Sequence, residues 1–285
     1  MLGKLTKHEF LSTGRVALPA YIGIFAISLV GRFLTWITSK QYVLDNVPAT
    51  FVRIIKVLSS LISIVYVIAF IAFVVLTLVY IVYRFYKNYF TDEGYLMNTL
   101  PVRPISLIFS KLFNAWIWIL LSAVVALASL NITFGHYDQL VDGFNNLLDS
   151  LKNLVTQQGD AIRDELGVPI WVFVIELVLF FVLLITRYVI SWYSSVGFGM
   201  LITKKHRIIG TLVAYLIIDN VANALSGGFF GIITKILPGH MQELVESGGK
   251  ALQTTVIGGS VLNLVLTALL FWFLTYIMKN KLNLD

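Results

Sequence analysis

Between Ile54 and Tyr83 the chain runs for thirty residues with Lys56 as the only charged side chain. As a helix this stretch would reach about 45 Å, well beyond the roughly 30 Å hydrocarbon core of a bilayer. A run of that length and polarity is a helical membrane span that projects into one of the flanking aqueous layers. It is not isolated, because the whole chain is 58% hydrophobic and 13% charged, with a mean hydropathy of +0.85. The apolar residues come in runs of span length, and the short alternating strands of a membrane barrel are absent. The fold class expected is therefore an all-α membrane protein with one transmembrane domain over residues 1–285.

Six spans are predicted, near residues 17–38, 54–83, 105–133, 168–193, 207–233 and 254–278. The basic N-terminus, with Lys4, Lys7 and Arg15, leads into an apolar run that passes Val30 without a small-residue cleavage site. That pattern predicts a retained first span, with residues 1–16 as a helix lying in the interface. Alternate sides of the spans hold twelve and eight Lys and Arg, and the richer side includes Arg84, Lys87, Arg103, Lys111, Lys204, Lys205 and Arg207. This excess places both termini in the cytoplasm. It also assigns the net charge of +6 to membrane topology, with no nucleic-acid partner implied. Tyr80, Tyr83, Phe85, Tyr86, Tyr89 and Phe90 then fall where an aromatic belt would anchor the second span.

Two loops carry patterns of their own. Leu140, Phe144, Leu147, Leu148, Leu151, Leu154 and Val155 recur at three- and four-residue intervals inside the outer loop 134–167, which predicts an amphipathic helix packed on the spans or capping a pathway. Ser226 to Gly231 (SGGFFG) interrupts an apolar run and is followed by Pro238-Gly239 and Gly248-Gly249. The expectation there is a kink and a re-entrant or outer-leaflet segment between spans five and six.

Ionisable residues inside spans cost about 2.5 to 3.5 kcal/mol each at a helix centre on insertion scales, so Glu176, Asp219 and Arg32 stand out. Counted from the expected span ends at 1.5 Å per residue, Glu176 lies about 12 Å below the outer boundary and Asp219 about 18 Å above the inner one. In a core of about 30 Å those depths coincide. Asn223 follows Asp219 by one helical turn and shares its face. The four residues either line a polar pathway, with Arg32 as counter-charge, or lock helices together, and the residues alone leave both open. Arg187 falls near the cytoplasmic end of the expected fourth span, where it would snorkel.

Catalysis has no visible machinery. Gly249-Lys250 is followed by Ala251, and Leu244 stands where a nucleotide-binding loop needs its first glycine. The four histidines are scattered, and with no cysteine in the chain neither a disulfide framework nor a thiolate metal site is available. The chain is read as no enzyme by itself.

The polar island between spans two and three is the most distinctive local feature. Thr91-Asp92-Glu93 supplies a helix cap and first-turn acids, Gly94 to Thr99 gives one to two turns, and Pro101 and Pro104 return the chain to span three. Together with Met1 to Pro19 (MLGKLTKHEFLSTGRVALP), the stretch Asp92 to Leu112 (DEGYLMNTLPVRPISLIFSKL) resembles the ABC-2 type permease family, specifically its small bacterial members of six spans. The resemblance implies that Asp92, Glu93, Gly94, Tyr95, Leu96 and Met97 form a coupling helix seated in a separate nucleotide-binding subunit. It implies a second permease as partner, ATP and magnesium held by the ATPase subunits, contact with membrane lipid, and residence in the bacterial cytoplasmic membrane. The substrate expected by resemblance is an amphipathic peptide or hydrophobic compound. Two other classes stay open on the residues alone, an ATP-independent channel or secondary transporter and a toxin-immunity or sensory membrane protein.

Overall fold

A computed structural model describes residues 2–40, 48–91, 94, 104–134, 142, 145, 146, 149, 152, 159–203, 205–236 and 248–280. The described residues form helices and no strand: α1 (Leu2–Ser39), α2 (Ala49–Phe90), α3 (Pro104–Phe134), α4 (Gly159–Leu166), α5 (Ile170–Ile202), α6 (Arg207–Ile236) and α7 (Gly248–Asn280). All except α4 are long and apolar enough to cross a membrane, giving six candidate spans. The chain is a multi-pass membrane protein whose large side chains face outward along every span, as with Ile22 at 68% exposure and Ile208 at 79%. Such a surface suits lipid as the surrounding solvent.

The helices are longer than the apolar runs within them. Residues 2–16, expected as an interfacial helix running into span one, are continuous with it as one helix, and Pro19 lies inside that helix. The glycine-rich stretch Ser226–Gly231 does not break α6, which runs on to Ile236. Intrahelical bonding is the one arrangement that satisfies backbone groups facing lipid, and this outweighs the helix penalty of about 1 kcal/mol per glycine. Residues 237–247 of the expected re-entrant or outer-leaflet segment between spans five and six, and most of the expected outer amphipathic helix, including Leu140 and Phe144, lie outside the described residues.

The chain divides into two compact units. The first comprises Met1–Tyr83 and Phe109–Asn145, the second Arg84–Ile108 and Asn146–Asp285, so that α2 and α3 each contribute to both. In the first unit, Tyr21 on α1 shares a 2.7 Å hydrogen bond with Ser122 on α3, and Tyr66 on α2 shares one of 3.0 Å with Ser129. Thr13 pairs with Asn114, which fixes α1 and α3 as parallel neighbours in a constant register. The Tyr21 ring meets Phe73 edge-on at 5.4 Å, and with Ile24, Tyr66 and Trp118 these residues form the unit's core. Lipid-exposed helices gain little from hydrophobic association, so hydroxyl pairs and close packing hold them.

The second unit is centred on α5. Its C-terminal half is buried from Val189 to Gly199 apart from Trp192 and Phe198, and it runs parallel to α7, touching it at Phe180 against Gly259 and at Ser194, whose hydroxyl donates to the Leu270 carbonyl at 3.2 Å. It returns as α6 through a tight turn, in which Thr203 Oγ1 accepts the His206 backbone N–H at 2.9 Å. The expected end of this span at residue 193 falls short because Ser194, Ser195, Gly197 and Gly199 lower the local hydropathy. Those same small side chains let three helices close on one another.

The aromatic belt is also revised. Phe85 and Tyr89 are fully buried and Phe90 is nearly so, and Phe85 stacks on Tyr193 with ring centroids 4.0 Å apart and planes within 11°. Residues 85 and 89, one turn apart, share the face of α2 that meets protein. Tyr83, at 51% exposure, retains the outward position expected of the group.

Candidate functional site

Of the six residues expected to form a docking helix, Asp92, Glu93, Tyr95, Leu96 and Met97 lie outside the described residues. Gly94 is described and buried. Its N–H donates to the Thr91 carbonyl at 2.7 Å, and a Cβ on it would stand 2.5 Å from the Tyr89 carbonyl oxygen. Only a residue without a side chain fits so close to the end of α2. Thr91, expected as a cap for the next helix, instead donates its hydroxyl to the Lys87 carbonyl and so closes the helix before it.

The intramembrane charges fall into separate settings. Arg32 belongs to the first unit and is exposed. Glu176 and Asp219 belong to the second, but not at one depth. With α5 extended to Ile202, Glu176 stands about 39 Å along its helix from the 203–206 turn, and Asp219 about 18 Å along α6 from the same turn. The coincidence of depth expected from shorter spans is lost, and these two acids do not form a pair across the hairpin. Asp219 does share a face with Asn223, whose amide donates to Asp219 Oδ2 at 3.1 Å. Glu176 is half-buried, and its Oε2 is buried with no hydrogen-bond partner.

Arg187 is a buried cation of the same unit. It sits near the middle of α5, 7% exposed, about 22 Å from the turn, and is therefore level with Asp219 and Asn223 on α6. A snorkelling arginine would carry its head to water; this one lies with its guanidinium carbon 4.7 Å from the centroid of the Tyr188 ring. On α7 the contacts at Gly259 and Leu270 bracket the same level, which holds the buried Asn263 and Thr267, whose hydroxyl has no hydrogen-bond partner. An ionic side chain inside a bundle of apolar helices marks a functional site by default, and here Asp219 and Asn223 on α6 and Asn263 and Thr267 on α7 stand at its level.

A second buried charge lies in the first unit and was not singled out from the residues. Lys111 Nζ and Glu9 Oε2 are 2.6 Å apart, with side chains 3% and 4% exposed. The Thr13 hydroxyl donates to the Glu9 carbonyl at 2.8 Å and accepts from Asn114 at 3.0 Å. Glu9 and Thr13 are spaced by four residues and Lys111 and Asn114 by three, so each pair occupies one helix face. That spacing was legible; the parallel pairing of α1 with α3 was not. Lys111, counted toward the cytoplasmic charge excess, is spent within the bundle. Beside this polar end, α1 and α2 border an apolar groove of about 420 Å³ lined by Ala17, Ala20, Gly23, Ala69, Ala72 and Trp118 among others.

No protein-family model, no curated protein and no solved structure matches this chain.

Proposed function

We propose that this chain is the membrane-spanning subunit of an ATP-driven exporter in the bacterial cytoplasmic membrane, paired with a second permease and powered by separate nucleotide-binding subunits. In this reading both termini are cytoplasmic, ATP and magnesium stay on the partner subunits, and the substrate is an amphipathic peptide or hydrophobic compound. The observation that carries the proposal is mechanical. A 42-residue unbroken helix ends at Phe90 and a 31-residue one opens at Pro104, with the family-like polar stretch between them.

Phe85, stacked on Tyr193, ties the end of α2 to α5. Residues 91–103 belong to the second unit, and force applied to them would reach α2, α3 and, through the Phe85–Tyr193 stack, α5. Rigid secondary elements carry coupling between distant sites. Asp92 and Glu93 offer charge, and Tyr95, Leu96 and Met97 offer apolar surface, to a groove on the ATPase.

Co-purification tests the partnership. A tagged chain co-expressed with a nucleotide-binding subunit encoded beside it should retain that subunit, and Glu93→Ala with Tyr95→Ala should reduce recovery about tenfold or more, as expected when central interface contacts are removed. Undiminished recovery and ATP turnover from the double variant would count against the docking assignment.

A further inference from the structure

We infer that Arg187 is the seat of an oxyanion-binding site within the membrane domain, one that takes the carboxylate or phosphate group of an anionic amphiphile. The site does not depend on the exporter reading. Arg187 is 7% exposed and its Nε is buried with no hydrogen-bond partner. Among the described residues no carboxylate lies within ion-pairing distance of it. Asp219, level with it on α6, is engaged by Asn223.

A buried lysine in such a place can shed its proton, whereas a guanidinium stays charged at any physiological pH. A buried cation without a counter-charge is strongly unfavourable, and the described residues supply none, which points to an anion brought to the site. The geometry suits one that arrives along the protein surface. Tyr188, over whose ring the guanidinium lies, is 37% exposed and forms the outer edge of the site. The planar fork of arginine binds carboxylate or phosphate through two parallel N–H bonds. Thr267 Oγ1, buried without a partner, lies at the level of α7 that faces this part of α5.

The purified chain in neutral maltoside detergent, titrated with dodecyl phosphate and with dodecanoate while unfolding is followed by tryptophan fluorescence, tests the site. Both probes should raise the unfolding temperature of the wild type. Arg187→Gln should weaken the response at least about tenfold, the scale of a lost charge-assisted bond, and Arg187→Lys should fall between because it keeps the charge without the fork. Nanodiscs of phosphatidylglycerol against phosphatidylcholine separate a resident lipid from a single-chain ligand; stabilisation confined to the first identifies lipid, and stabilisation by either probe identifies a passing amphiphile. Without any anion, Arg187→Gln should be at least as stable as the wild type, since it removes an uncompensated charge. A less stable Gln variant in neutral detergent would place the counter-ion within the chain and overturn the inference. Equal responses of wild type and Gln variant would do the same.

Discussion

Lys111→Met is expected to leave little folded protein. The substitution removes the ammonium that stands 2.6 Å from Glu9 Oε2 and leaves that carboxylate, 4% exposed, without its lysine partner. Breaking a buried ion pair from one side costs about 3–5 kcal/mol, whereas replacing both partners by apolar groups of similar volume is often neutral or stabilising. The double variant Glu9→Leu with Lys111→Met should therefore recover most of the stability that the single variant loses. Unfolding midpoints in detergent, with the folded fraction read by size-exclusion chromatography, would follow the cycle. A double variant no better than Lys111→Met alone would mean that the ion pair is not what makes the position sensitive.

Gly199→Ala is expected to be among the most damaging single-methyl changes in the second unit. A Cβ there would stand 2.5 Å from the Thr211 backbone nitrogen and 2.6 Å from its Cα, and one on Gly210 would stand 2.6 Å from the Gly199 carbonyl oxygen. Both obstacles are backbone, so no rotamer change relieves them and the α5–α6 hairpin must open. Overpacking of this kind costs about 1–3 kcal/mol and sometimes more. Gly227→Ala and Gly228→Ala are the matched controls, since added Cβ atoms there meet nothing within 4 Å. In a helix interior those changes should be neutral or favourable by up to about 1 kcal/mol. Equal losses at all four glycines would contradict the crossing geometry.

The number of spans was legible in the residues because an apolar run of some twenty positions has few folded alternatives to a membrane helix. Where helices end was less legible, and each miss has a physical source. Ser194, Ser195, Gly197 and Gly199 read as a loss of hydrophobicity, yet they lie in the interior of α5, where small side chains permit close helix contact. Moving that end from 193 to Ile202 turned Arg187 from an edge residue into a buried one and separated Glu176 from Asp219. Ser226–Gly231 read as a breaker under rules suited to water, and stays helical in α6. Phe85 and Tyr89 followed the composition of an interfacial belt, but which face of α2 meets protein depends on Tyr193, more than a hundred residues away. The Glu9–Lys111 pair had the right spacing on each helix and no local sign of its partner. The docking role of all six residues, Gly94 included, rests on capping chemistry and family resemblance.

Transport in inverted membrane vesicles tests the central claim most directly. Vesicles from cells expressing the chain with its nucleotide-binding subunit would be given a fluorescent amphipathic peptide, and lumenal accumulation measured with ATP, without ATP, and without ATP under an imposed ion gradient. The expected result is accumulation with ATP alone, lost in the Glu93→Ala, Tyr95→Ala variant even though that variant inserts normally. Accumulation driven by the ion gradient without ATP, or peptide bound at the membrane and never delivered to the lumen, would contradict it.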